Sequence, residues 1–364
     1  MATTRPLTAI ERDYFHCLDC FAFSNPFSEP RARALGELLP DAPSDTRPGS
    51  HSALSDAVGR KLERLDARGS VRLEDFPAED RPLVESAYLY VAYHRFLEEL
   101  DRLIERQLHT EAPVAVGFDQ DFFAHLGRRG FTEAAIGRYL ALFFQLRRAF
   151  YFIERALPGE SPSMRRLHCG LWNNTFSHDM RNFGRCLWNR MEDFSTLLLG
   201  ETGTGKGSAA AALGRSSFIP YSTERRSFVG NFATAFIALN LSQFPETLIE
   251  SELFGHRKGS FTGAVKDYKG IFERCSAHGA LFLDEIGELG VPIQIKLLQV
   301  LQERSFTSLG DHVLKRFNGR VIGATNRPLD QLRAEGRFRD DLFYRLCSDV
   351  IVVPPLRERL REAP

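Results

Sequence analysis

No apolar stretch in this 364-residue chain is long enough to cross a bilayer, and Met1-Ala2-Thr3-Thr4-Arg5-Pro6 lacks a signal-peptide core. Both absences point to a cytoplasmic protein. A charge excess is missing as well: Lys+Arg and Asp+Glu each total 47, so bulk electrostatics gives no signal for nucleic acid. Cysteine is sparse, with 6 residues scattered at Cys17, Cys20, Cys169, Cys186, Cys275 and Cys347. That scatter argues against a disulfide framework in a cytosolic chain of this size. His16-Cys17-Leu18-Asp19-Cys20 alone resembles a metal or redox motif. No second ligand pair stands at zinc spacing, so these thiols read as buried or idle. What the chain has in quantity is phenylalanine, 30 residues, which predicts aromatic-rich packing and no particular chemistry.

The length predicts two domains. Leu157-Pro158-Gly159-Glu160-Ser161-Pro162-Ser163 ends a long helical pattern and reads as the linker between a domain at 1–156 and another at 164–364. Leu39 to Ser50, rich in turn residues, reads as an exposed loop. The first domain reads as helical. Phe96, Leu97, Leu100, Leu103, Ile104 and Leu108 form a stripe over 95–108, and a second helix is predicted from about Thr132 to Leu157 with Thr132 as N-cap and Gly159 just past its end. The domain lacks a catalytic constellation, and it lacks the strand–helix alternation with acidic strand ends of a phosphoacceptor receiver. It reads as a helical regulatory or interaction domain.

Downstream the period changes. Short apolar runs at Thr196–Leu199, Phe236–Leu239, Ala280–Leu283, Arg320–Gly323 and Val350–Val353 alternate with helical segments such as Pro292 to Arg304, which predicts a parallel α/β sheet. In such sheets the site lies beyond the carboxyl ends of the strands, and the polar motifs fall there. Gly200-Glu201-Thr202-Gly203-Thr204-Gly205-Lys206 follows the first strand and opens a helix. Glycines let backbone N–H groups close around phosphates, the helix N-terminus favours the anion, and Lys206 brings a point charge to the β/γ-phosphates of ATP. Gly207 stands where a Ser or Thr usually ligates Mg²⁺. Asp284 and Glu285 end the third strand, as a Mg²⁺ ligand and as the group that polarises an attacking water. Asn326 after the fourth strand is placed to orient that water or to sense the γ-phosphate, and Asn240 after the second is similarly placed. Arg339 and Arg345 share a predicted helix and can reach a neighbouring subunit's phosphate.

Between these motifs lies Gly259-Ser260-Phe261-Thr262-Gly263-Ala264, preceded by Glu250-Ser251-Glu252-Leu253-Phe254-Gly255-His256. Two glycine-flanked residues, one aromatic and one hydroxyl, describe a flexible tip that suits contact with another molecule.

Taken together, these residues resemble the central AAA+ domain of bacterial enhancer-binding proteins, the sigma-54-dependent transcription activators. The resemblance covers about Ser161 to Arg359, with Gly259 to Ala264 close to that family's GAFTGA loop, Ser260 replacing its alanine. Ala324-Thr325-Asn326, Phe338-Arg339 and Pro354-Pro355-Leu356-Arg357-Glu358-Arg359 also match. The resemblance implies a P-loop AAA+ core with a five-stranded parallel sheet, ATP and Mg²⁺ as cofactors, and a homo-oligomeric ring, commonly a hexamer. It implies that Phe261 and Thr262 engage sigma-54, that Asn240 restrains Glu285, and that Arg339 and Arg345 act in trans. ATP hydrolysis would move the Gly259–Ala264 loop and remodel sigma-54 RNA polymerase from the closed to the open promoter complex. The sequence departs from that pattern at Gly207, at the long segments Gly214 to Ala235 and His168 to Glu192, and in ending at Pro364 with neither a helical lid nor a DNA-binding helix-turn-helix in view. Gly207 and the lid motivate an alternative expectation, a nucleotide-binding module that docks on sigma-54 or on homologous subunits without turning over ATP. A third expectation is a remodeller of the same fold with another target.

Overall fold

The computed structural model describes residues 4–39, 48–177, 180, 183–188, 190 and 193–362. They divide into two compact units, one of Met1–Arg147, His178–Gly184 and Ile219–Val229, the other of Arg148–Ser177, Arg185–Phe218 and Gly230–Pro364.

The first unit is helical: α1 (Ala9–Ala22), α2 (Glu29–Leu38), α3 (Pro48–Ala67), α4 (Arg81–Arg95), α5 (Leu97–Leu108), α6 (Asp119–Gly127) and the greater part of α7 (Glu133–Ala156). Local chemistry sets several ends. Thr8 and Glu11 form a reciprocal capping box at α1, with Glu11 Oε2 accepting from the Thr8 N–H at 2.9 Å. Thr132 Oγ1 accepts from the Ala135 N–H at 3.3 Å, the predicted cap of α7. Leu100, Leu103 and Ile104 of α5 are buried, and Phe96, Phe122 and Phe143 meet edge to face, so the phenylalanines pack a core as expected. Pro48-Gly49-Ser50, expected in a loop, begin α3, since proline is tolerated in a first helical turn. Residues 40–47 lie outside those described.

A hairpin, β2 (Tyr221–Ser222) and β3 (Ser227–Phe228), completes this unit, although its sequence lies far downstream. Asp119, only 4% exposed, accepts from Tyr221 Oη at 2.6 Å and from Arg226 Nε at 2.8 Å, with Arg226 Nη2 closing the fork. Phe228 stacks on Phe144 at 4.3 Å, and the Val116 N–H donates to Arg226 O at 2.9 Å. The expected boundary at 157–163 therefore differs from the observed division, which falls inside α7. A helix need not end where its packing partner changes. Arg148, fully buried, donates to Arg215 O at 2.6 Å and to Ser217 O at 2.8 Å, all within the second unit.

The second unit is built on a parallel sheet of β4 (Phe236–Asn240), β5 (Ala280–Asp284), β8 (Arg320–Thr325), β1 (Thr196–Leu199) and β9 (Asp349–Val352), paired in that spatial order. All five predicted strands are present. Leu197, Leu281, Leu283 and Val321 sit in a core with Ile286, Leu297 and Leu342, which explains why the strands read as unbroken apolar runs. Helices α8 (Pro162–Phe176), α9 (Lys206–Gly214), α10 (Glu246–Phe254), α11 (Val291–Glu303), α12 (Asp340–Leu346) and α13 (Leu356–Glu362) belong to this unit, as does a short hairpin of β6 (Ser305–Phe306) and β7 (Lys315–Arg316). The amino ends of β8 and β1 are locked by buried Arg320, which donates to Asn174 Oδ1 at 2.7 Å and to Thr196 Oγ1 at 2.8 Å. Burial pushes this guanidinium down to about 10. The carboxyl ends are left to carry the polar motifs.

Candidate active site

The loop after β1 turns through two left-handed glycines, Gly203 at φ 78° and Gly205 at φ 102°, which residues with a Cβ rarely adopt. Gly200 is required for a different reason: a Cβ there would lie 2.9 Å from Val353 O. Lys206, 7% exposed, opens α9 and donates from Nζ to Gly200 O at 2.9 Å and Glu201 O at 3.0 Å. Thr204 Oγ1 donates to Glu201 O at 2.9 Å. Gly207 sits in the first turn of α9 with room beside it, an added Cβ coming no nearer than 3.9 Å to the Phe282 ring.

Asp284 ends β5, and Glu285 follows in the left-handed region at φ 56°, a strained conformation for a residue with a side chain. Glu285 Oε2 accepts from the Asn326 N–H at 3.4 Å, while Asn326 Nδ2 donates to Thr202 Oγ1 at 2.8 Å. Asn326 thus bridges the acidic pair and the glycine-rich loop across the ends of β5, β8 and β1. Asn240 behaves differently from the expectation that it restrains Glu285. Its Nδ2 donates to Asp284 Oδ2 at 3.5 Å, and its Oδ1 accepts from the Ser242 N–H at 3.0 Å and Ser242 Oγ at 2.7 Å. The left-handed turn at Glu285 gives that carboxylate to Asn326 and leaves Asp284 facing Asn240.

Neither arginine of the predicted pair bonds the loop or the acids within this chain. Arg339 stands just before α12, without a side-chain capping bond, and pairs with Asp341 at 2.8 Å. Arg345 donates from Nε and Nη2 to Leu301 O at 3.1 and 2.7 Å. Sequence reasoning matched Arg357 and Arg359 to the family without giving them a role. The Arg357 fork holds the Glu201 carboxyl below the usual range, with Nη1 at 2.6 Å, and Arg359 donates to Pro354 O and Thr204 O.

Gly259 to Ala264 form a closed tip. The Gly259 N–H donates to Ala264 O at 2.8 Å, and His256 bridges Tyr268 just below. Phe261, expected to project, is half-buried with its ring 4.9 Å from that of His256 in an edge contact, whereas Thr262 and Gly263 are exposed. His256 is itself fixed by Ser251 Oγ at 2.7 Å from Nδ1. Ser260 packs against Gly310 in the β6–β7 hairpin, where a Cβ would lie 2.7 Å away, and Arg257 joins Asp267 and Asp311 at 2.8 Å each. Exposed Val265, Val313 and Leu314 were missed by sequence reasoning. Among the described residues no cluster of His, Cys, Asp or Glu has the makings of a metal centre, and Cys17 Sγ contacts Glu37 at 3.6 Å. No helix among them is long and apolar enough to cross a membrane.

Residues 179–352 match the family model described as the Sigma-54 interaction domain. The chain is 43% identical over 217 residues to the Nif-specific regulatory protein of Azotobacter vinelandii, covering 60% of this chain and 36% of that protein. It is 39% identical over 240 residues to the DNA-binding transcriptional regulator NtrC of Azospirillum brasilense, covering 64% and 47%. With the regulatory protein AtoC of Escherichia coli the identity is 39% over 226 residues, covering 59% and 46%. The matched part spans less than half the length of each of these relatives.

Proposed function

We propose that this chain, whose residues 179–352 carry the Sigma-54 interaction domain, is an ATP-dependent transcription regulator of the enhancer-binding kind. It hydrolyses ATP in a homo-oligomeric ring and uses Gly259 to Ala264 to remodel sigma-54 RNA polymerase into the open promoter complex. One observation supports the reading most directly. The glycine-rich loop, Asp284, Glu285 and Asn326 converge at the carboxyl ends of β1, β5 and β8, in the same unit that presents the closed Gly259–Ala264 tip.

The donor set fits a nucleotide phosphate chain. Left-handed glycines on either side of Thr204 give the loop the kind of turn whose N–H groups can bind an anion, and the start of α9 adds its dipole. The Lys206 ammonium is held by two loop carbonyls, from which a phosphate oxygen can draw it. Bound Mg²⁺ supplies charge neutralisation and Lewis acidity at phosphate oxygens. Asp284 is the carboxylate to hold it, and Gly207 contributes no ligand. Glu285 is placed to accept the proton of the attacking water, with the Asn326 amide orienting that water. Arg339 and Arg345 act on a neighbour's ATP, which requires them to leave Asp341 and Leu301 O; such an arginine is worth about 10³–10⁵ in rate. Phe261 and Thr262 contact sigma-54, Asn240 senses the acidic pair through Asp284, and residues 1–156 serve as the control region of a cytoplasmic protein.

Phosphate release by the chain is compared with Lys206→Ala and Glu285→Ala. Both variants lose turnover, and only Lys206→Ala loses ADP binding. Absence of turnover in the parent at high protein concentration overturns the enzymatic reading. Thr262→Ala abolishes sigma-54 binding and spares ATP binding; retained sigma-54 binding in that variant removes Thr262 as a contact, and a parent that does not bind sigma-54 removes the assigned target. Gly207 favours a second reading, a nucleotide-binding module that docks on sigma-54 or homologous subunits without hydrolysis, because the usual Mg²⁺-ligating hydroxyl is absent.

A further inference from the structure

We infer that Arg359 is a positioning residue of the glycine-rich loop, the side chain that keeps Thr204 in the orientation on which phosphate capture depends. The inference rests on the nucleotide-binding reading above. Thr204 stands between Gly203 and Gly205, both left-handed at φ 78° and 102°. Such alternation gathers the N–H groups on one side, so the intervening carbonyl has to face elsewhere. Thr204 is buried, and a buried carbonyl needs a partner within the protein.

Arg359 is that partner. Its Nη2 donates to Thr204 O, while Nη2 and Nε donate to Pro354 O at 2.9 and 3.0 Å. One planar fork therefore joins the middle of the loop to the segment leaving β9. The same segment is tied to the base of the loop by the Val353 N–H, which donates to Leu199 O at 2.8 Å, and its Val353 O leaves no room for a side chain at Gly200. The cup that receives phosphate is thus shaped from outside the loop motif. Arg357 approaches the same loop but makes a different kind of contact, an exposed side-chain pair with Glu201, which contributes little. A lysine at 359 keeps the charge and loses the fork, so charge and geometry are separable.

The test titrates a fluorescent ADP analogue into the parent, Arg359→Ala, Arg359→Lys and Arg357→Ala, with the thermal midpoint of each recorded. Hydrogen exchange across 200–207 is followed without nucleotide. Arg359→Ala is expected to weaken ADP binding about tenfold, the scale of one charge-assisted hydrogen bond, and to speed exchange in the loop. Arg359→Lys falls between that variant and the parent, and Arg357→Ala stays within about twofold of the parent. Parent-like ADP binding by Arg359→Ala overturns the inference. So does full rescue by Arg359→Lys, which would leave only an electrostatic role. If Arg359→Ala does not fold, Arg359→Lys decides alone: parent-like binding and loop exchange refute positioning. A parent chain that does not bind ADP overturns the nucleotide reading itself, a result distinct from an Arg359 variant that matches a binding-competent parent.

Discussion

Asp119→Ala should release the β2–β3 hairpin from the helical unit. The carboxylate accepts from Tyr221 Oη, Arg226 Nε and Arg226 Nη2, and the Asp119 side chain is 5% exposed against 49% for Arg226. Hydrogen bonds to a charged group contribute about 1.5–3 kcal/mol each. The Arg226 share is discounted because water replaces much of it, so the loss at Asp119 comes to about 2–3 kcal/mol. The Phe144–Phe228 stack remains, so the hairpin loosens without being lost. Amide exchange over 219–229 at neutral pH should accelerate by about 30- to 150-fold, at tenfold per 1.4 kcal/mol. Exchange in α9 and β4, which flank the hairpin in sequence, shows whether the disturbance spreads into the second unit. The Arg226 side chain, by its hydrogen bond above all, holds the Asp119 carboxyl below the usual range. Its stabilisation is therefore complete above the unfolded value near 3.9 and is lost as pH falls through the folded one. Asp119→Asn should flatten that acid limb. Unchanged exchange over 219–229 in Asp119→Ala would refute the assignment of the carboxylate as the anchor.

Gly207→Ala should raise stability by about 0.5 kcal/mol, less than a mid-helix exchange because the site is in the first turn of α9. The position is not left-handed and a Cβ meets only the Phe282 ring at 3.9 Å, so a lowered thermal midpoint would contradict the packing described. His125 is pushed down to about 4, first by burial and then by Arg95, Arg129 and Arg128. With the folded value below the unfolded one near 6.5, stability is complete above that pH and declines as pH falls toward about 4. Denaturant midpoints of the parent and His125→Gln between pH 7 and 4 should converge at the acid end; parallel curves would exclude His125 as the titrating group.

The parts of the fold that were legible in sequence are those held by short-range regularity. The central parallel strands β5, β8 and β1 are buried along their length and so read as apolar runs, and Gly200 to Lys206 has its strand before and helix after within a few residues. A turn at Gly259 to Ala264 followed from its two glycines, but its closure did not. What escaped was settled by partners distant in sequence or by main-chain acceptors. The hairpin from Tyr221 to Phe228 is mostly polar, and Asp119 is 102 residues from Tyr221, so no local period announces it. Gly214 to Ala235 could only be read as long. Arg345 was assigned outward reach by its place on a helix, yet it donates to Leu301 O, and a carbonyl acceptor leaves no trace in side-chain pattern. Phe261 lies against His256 for the same reason, since a ring at a loop tip finds its partner only once the strands beneath have paired. The site's candidate residues were therefore readable where they depend on residue type at fixed spacing. Its restraints were not, and it is the restraints on Thr204, Asp284 and Arg345 that decide which of those groups is free to act.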